Sequence, residues 1–147
     1  MKNKTATVYL ALLLGSYGVH RLYLKGWRDL GVWLHVLATS LGLMGLRRAW
    51  VLGQDDRLAW IFVPLLGLSL FAACLAAIVY GLASEASWNK AYNESLSESH
   101  STGGLAGRTS GLTIFGVILA LLLGATALMS VIAFTGQRYF EATIKAV

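Results

Sequence analysis

The chain of 147 residues is poor in cysteine, proline and charge: it has one of each of the first two, and only 13% of its residues are Asp, Glu, Lys or Arg. Soluble domains carry charge on about a quarter of their residues, so the deficit excludes an ordinary water-solvated globule. The lone Cys74 excludes an internal disulfide and leaves the redox compartment unread. Among its alanine and leucine neighbours it reads as a small packing residue. The three histidines are dispersed, no carboxylate pair lies in an apolar run, and no glycine loop precedes a lysine to cradle phosphate. No enzyme, catalytic residue, cofactor site or metal-ligand set is therefore expected.

What is abundant is apolar, at 56% of residues. Four stretches are apolar enough to cross a bilayer, and the last, Gly111 to Phe134, runs 24 residues without a charged side chain. At about 1.5 Å per residue it reaches roughly 36 Å, against a hydrocarbon core of about 30 Å. In lipid every backbone amide must find its partner within the protein, which leaves helices or closed barrels. These runs are too long and unbroken for alternating barrel strands. The expected fold is all-α, a polytopic membrane protein with four transmembrane helices. Too little chain lies outside the spans for a soluble domain of about 50 residues.

The expected organisation is an N-terminal tight helical hairpin in residues 1–50 and a C-terminal helix pair in residues 51–147, forming one membrane unit. The first span runs from Thr5 to about Leu24, with His20 and Arg21 snorkelling at its end. Lys25, Gly26, Trp27, Arg28 and Asp29 make the turn, and Leu30 to Leu46 returns beside the first helix. Arg47, Arg48, Trp50, Asp55, Asp56 and Arg57 form the next connection. The third span, Leu58 to about Ala83, contains Pro64, which removes a donor to the Trp60 carbonyl and should kink the helix. A polar loop (84–110) leads to the fourth span, and Gln137 to Val147 is a short basic tail with Arg138 and Lys145. Within the loop, Trp88, Tyr92 and Leu96 recur every four residues, as in a short helix lying on the membrane surface. Ser95 to Gly104 is too poor in apolar residues to pack. Asn93-Glu94-Ser95 matches a glycosylation sequon, a three-residue pattern common by chance. Lys2 and Lys4 before the run Ala6 to Leu14 imitate a secretory signal, but Ser16-Tyr17-Gly18 is a poor cleavage site and a retained helix is expected.

The formal charge of +5 flanks the apolar runs, where basic side chains meet lipid phosphates and set orientation, so no nucleic-acid partner is expected. With four crossings and a cytoplasmic N-terminus, seven basic residues fall inside and five outside, which places both termini in the cytoplasm. Arg21, Lys25 and Arg28 pull against that arrangement, because they crowd a turn that it exports.

The most specific local pattern is Gly15-Ser16-Tyr17-Gly18-Val19-His20-Arg21-Leu22-Tyr23-Leu24 followed by Gly26. It resembles the signature of the TM-2 domain family, the two-transmembrane-helix family, over about Lys4 to Trp50. Gly15, Gly18, His20, Arg21, Tyr23 and Leu24 fall on the pattern, Leu22 replaces an aromatic, and the expected glycine at Lys25 is displaced to Gly26. The resemblance implies a membrane hairpin, without a shared biochemistry among the family's bacterial members; compactness and the lack of a convincing targeting signal lead to the expectation of a bacterial cytoplasmic membrane. Physically, Gly15 and Gly18 clear space for a second backbone, His20 and Arg21 aim donors at headgroups, and Tyr23 sits at headgroup depth, with Lys25 and Arg28 completing a turn that touches headgroups or a partner. The alternative is a recognition or catalytic site on the membrane surface, built on His20 and Arg21.

His35 lies inside the second apolar run, either as a proton carrier or as a neutral hydrogen-bonding group between helices. Gly116, Ala120 and Gly124 on one span, and Ser69, Ala73, Ala77 and Gly81 on another, repeat at four-residue spacing and form smooth grooves for close helix approach. The expected function is a membrane accessory or scaffold protein that works through helix packing and loop contacts, partnered by lipids and by a membrane protein or further copies of itself. The alternative is a small oligomeric transporter of protons, ions or solutes.

Overall fold

The computed structural model describes residues 1–53, 55–93 and 107–145. The described residues are helical, without a strand among them: α1 (Lys4–Leu14), a 3-10 turn (Gly15–Tyr17), α2 (Val19–Lys25), α3 (Leu30–Leu52), α4 (Arg57–Leu82), α5 (Glu85–Tyr92) and α6 (Gly111–Lys145). Helices α3, α4 and α6, of 23, 26 and 35 residues, are long and apolar enough to cross a membrane. Asn3 caps α1 by accepting from the Ala6 amide at 3.0 Å, and Asp56 caps α4 by accepting from that of Ala59 at 3.2 Å. Helix α4 continues as one element through Pro64.

The expected first span, Thr5 to Leu24, is not one continuous helix. Helix α1 has 11 residues, about 16 Å of rise, and stops at the Gly15–Tyr17 turn, where Gly18 takes a left-handed φ of 73°. Helix α2 then returns along α1 and brings Tyr23 back to the N-terminus. The Tyr23 hydroxyl accepts from the Asn3 amide at 3.1 Å, its carbonyl accepts from Lys2 Nζ, and the Lys2 ammonium lies 4.8 Å from its ring centre. The N-terminal element is a re-entrant hairpin that leaves the bundle on the side it entered. Three helices long and apolar enough to cross a membrane, preceded by a short hairpin of α1, the turn and α2, stand where four spans were expected. An apolar run ending in two glycines reads alike whether it crosses or turns back, because its composition is the same.

This geometry also separates the chain ends. Lys4 Nζ donates to the Ala83 carbonyl at 2.5 Å and to Thr109 Oγ1 at 2.6 Å, and the Thr5 and Thr113 hydroxyls meet at 2.7 Å, so α1 begins beside the end of α4 and the start of α6. At the far end, the Arg138 guanidinium stacks 5.6 Å from the Trp60 ring centre near the start of α4. The termini therefore lie at opposite ends of the bundle. Gln137 to Lys145, expected as a tail, continues α6.

Helix α4 is the centre of the bundle, packed against α3, α6 and α1. The two small-residue series face their neighbours: Ser69, Ala73, Ala77 and Gly81 on α4 and Gly116, Ala120 and Gly124 on α6 are all buried. A Cβ at Gly124 would lie 2.9 Å from that of Cys74, one at Gly116 would lie 2.8 Å from Val8 Cγ1, and one at Gly81 would strike Val117. Gly124 thus seats α4, whereas Gly116 seats α1, which lies along both helices. On the other flank, a Cβ at Gly42 or Gly45 of α3 would come within 2.5 Å of Leu66 or Phe62.

The Trp88 face of helix α5 packs on the protein's own N-terminus. Trp88 is 1% exposed, stacks 4.6 Å from Tyr92 and donates its indole N–H to the Lys2 carbonyl at 3.0 Å. An N-terminus folded back beside α4 gives this face something to cover. Leu96, the Ser95–Gly104 stretch and the sequon beyond Asn93 lie outside the described residues.

Replacing Gly45 with leucine should lower unfolding free energy in micelles by about 1–3 kcal/mol through overpacking against α4. Gly136→Leu, where the added side chain meets open space, should change it little. Equal losses from both would contradict the α3–α4 approach.

Candidate functional site

Where the backbone reverses inside the bundle, its polar groups lose their helical partners and lipid offers none. The Ser16 carbonyl is the exposed point of that reversal. It accepts from Thr39 Oγ1 of α3 at 2.5 Å and from Ser69 Oγ of α4 at 3.0 Å. The two hydroxyls lie 2.9 Å apart, and His35 Nδ1 is 3.3 Å from Ser69 Oγ. Two helices, α3 and α4, are thereby tied to the turn by one carbonyl.

Beside this knot stands His20, on α2 and fully buried. Its ring meets that of His35 edge-on, with centres 5.5 Å apart, and lies 5.9 Å from Tyr80, which in turn touches Trp88 and Tyr92. Neither ring nitrogen of His20 has a hydrogen-bond partner among the described residues. The glycines make the room: a Cβ at Gly15 would lie 2.6 Å from that of Ala73, and one at Gly18 would lie 3.1 Å from both the Val32 Cα and the His35 Cβ. At the mouth, Arg21 Nε donates to Asp29 Oδ2 at 2.7 Å, with the guanidinium lying where a side chain at Gly31 would be. That hydrogen bond holds the Asp29 carboxyl below the usual carboxylate range, against the opposing effect of its partial desolvation.

The structure gathers Gly15, Gly18, His20, Arg21, His35 and Ser69 into one place, and adds Ser16, Thr39 and Tyr80, which sequence reading left out. Lys25 and Arg28 stay exposed at the turn, and Tyr23 serves the N-terminus instead. Thr39 was findable, because His35, Thr39, Gly42 and Gly45 follow one another at spacings of four, three and three along a single face of α3. Chemically the cluster offers two imidazoles, a phenol and two hydroxyls in a low-dielectric setting, which can hold or pass a proton and can lock a turn. No group of three His, Cys, Asp or Glu able to hold a metal ion occurs among the described residues. Comparison with protein-family models, with curated proteins and with solved structures gives no match.

Removing either hydroxyl, by Thr39→Val or Ser69→Ala, should cost about 1 kcal/mol each, while the double variant leaves a buried carbonyl without a donor and should cost more than the sum. Unfolding of the four proteins in micelles measures this, and strict additivity would remove the knot from the argument. Separately, the Arg21–Asp29 pair contributes stability that is present in full above the unfolded carboxyl pKa of about 3.9 and is lost as pH falls through the lower folded value. Melting temperature should therefore drop on acidification below about pH 4, and part of that drop should vanish in Asp29→Asn.

Proposed function

We propose that this chain is a small integral membrane accessory or scaffold protein of the TM-2 type, which holds a membrane-protein partner, or further copies of itself, through helix faces and end loops. The observation that carries this reading is the division between its interior and its ends. The Thr39 and Ser69 hydroxyls are committed to each other and to the Ser16 carbonyl, and below them α3 and α4 approach backbone to backbone at Gly42 and Gly45. At the far end α6 continues past its apolar span and exposes Tyr139, Phe140 and Ile144. Such a bundle is rigid inside and adhesive at its tip.

The re-entrant hairpin supports an orientation as well. Lys2, Lys4, Arg21, Lys25, Arg28, Lys90 and Arg108 gather at the N-terminal end, and Arg47, Arg48, Arg57, Arg138 and Lys145 at the other. The excess, and the position of five of the seven before the first true crossing, favour a cytoplasmic N-terminus and an exported C-terminus in a bacterial cytoplasmic membrane. The conflict caused by Arg21, Lys25 and Arg28 disappears, because they now share a side with Lys2 and Lys4.

A second reading, a proton carrier, is favoured by the unpartnered ring of His20 beside His35. Two measurements separate them. A photo-crosslinking residue at Phe140 or Ile144, in native membranes, should give one discrete protein adduct where the same probe at the lipid-facing Leu121 gives lipid adducts only. Lipid adducts at all three sites, together with proton flux in proteoliposomes that His20→Gln abolishes, would replace the scaffold reading with the carrier.

A further inference from the structure

A hairpin that reaches only half-way leaves the other half of its slot open. Helix α1 lies along α4 and α6 from Lys4 to the Ser16 turn, and below that turn no helix continues. A cleft of about 580 Å³ occupies the space, roofed by Ser16 and walled by Leu66 and Leu70 of α4 and by Leu123, Ala127 and Phe134 of α6. Its lower end adjoins a second hollow of about 320 Å³, with which it shares Val63 and Phe134, and which Trp60 and Arg138 close. The two hollows adjoin one another, the upper one mainly apolar and the lower one bordered by Arg138.

Their dimensions match one leaflet. From Leu123 to Arg138 is 15 residues of α6, about 22 Å, which equals half of a bilayer of about 40–45 Å measured with its headgroups. The cleft volume lies in the range of sites that enclose small ligands, about 300–1,000 Å³. The Arg138 guanidinium stacks between Trp60 and Phe134, at 5.6 and 5.4 Å from their ring centres, so its position at the foot is fixed. The Arg138 side chain is only 8% exposed and pairs with the more open Glu141 at 2.8 Å, so a phosphate would meet the guanidinium by joining its existing partners. Trp50, on the rim of the lower hollow and almost wholly exposed, is an aromatic of the kind that marks headgroup depth.

We infer that this pair of hollows is a binding site for a diacyl glycerophospholipid, with one acyl chain lying beneath the re-entrant turn between α4 and α6 and the phosphate at Arg138. The chain completes the slot that α1 half fills. A lipid bound there is part of the bundle and not of the surrounding annulus. The inference rests on the membrane setting of the three long helices and is independent of the scaffold reading.

The test is native mass spectrometry of the full chain extracted in mild detergent from vesicles containing phosphatidylglycerol and phosphatidylethanolamine. One phospholipid per chain should survive detergent exchange. Ser130→Trp, which plugs the cleft from an exposed position on its wall, should abolish retention, whereas Leu121→Trp, on the outer face of the same helix, should leave it intact. Arg138→Gln should lower retention about tenfold, the loss of one charge-assisted contact. No retained phospholipid in the native chain, or equal retention in Ser130→Trp and Leu121→Trp, overturns the inference. Should Ser130→Trp fail to fold, the native chain labelled with a phospholipid carrying a photoreactive acyl tail decides it. Adducts concentrated in residues 63–70 and 123–134 support the site, while adducts spread evenly over the outer face of α6, or a protein seated in the cleft, refute it.

Discussion

A backbone carbonyl in hydrocarbon must have a donor, and the Ser16 carbonyl finds two. The rest of the fold follows from this. Because Thr39 and Ser69 meet that oxygen together, α3 and α4 are held in register with each other and with the turn, and the hairpin can stop in mid-bundle without leaving an unsatisfied group. Helix α2 is then directed back towards the N-terminus, His20 is carried into the interior, and Lys2 and Lys4 reach the ends of α2 and α4. Loss of the knot would release all of these contacts at once.

The polar ends complement the apolar middle. Lys4 ties α1 to Ala83 and Thr109, Trp88 closes over Lys2, and Arg48 grips Asp56 through two contacts of 2.7 and 3.0 Å across the α3–α4 connection. The Arg48–Asp56 pair is partly exposed and worth little alone, but together these bonds fix which end of each helix meets which. The glycine contacts set the distance between helices, the end contacts set their direction, and the knot sets the depth of the hairpin.

The long apolar runs made the class of fold and three of its helices legible in the sequence, because length and hydropathy decide both in lipid. The small-residue series showed which faces of α4 and α6 pack closely, since a missing side chain is a local property. The fate of Thr5 to Leu24 was not legible. Crossing and turning back differ only in whether a partner awaits the freed carbonyl, and that partner, Thr39 with Ser69, is 23 and 53 residues away along the chain. The site was half visible for the same reason. His20, His35 and Ser69 stand out singly as polar groups in apolar runs, but their meeting with Tyr80 depends on the reversal. Trp88 and Tyr92 showed correct helical spacing, and only the returning N-terminus explains why that face is covered.

Helix α6 is one rod of 35 residues, about 52 Å long, and its uncharged stretch alone exceeds a hydrocarbon core of about 30 Å. It is clamped to α4 at Gly124 and at Gly67, where added side chains would strike Cys74 and Val131, so it cannot lean independently of its neighbours. Any hydrophobic mismatch is then answered by the assembly as a whole, which either tips in the bilayer or thickens the lipid around it. In a membrane, local bilayer thickness would then act on the bundle as one body.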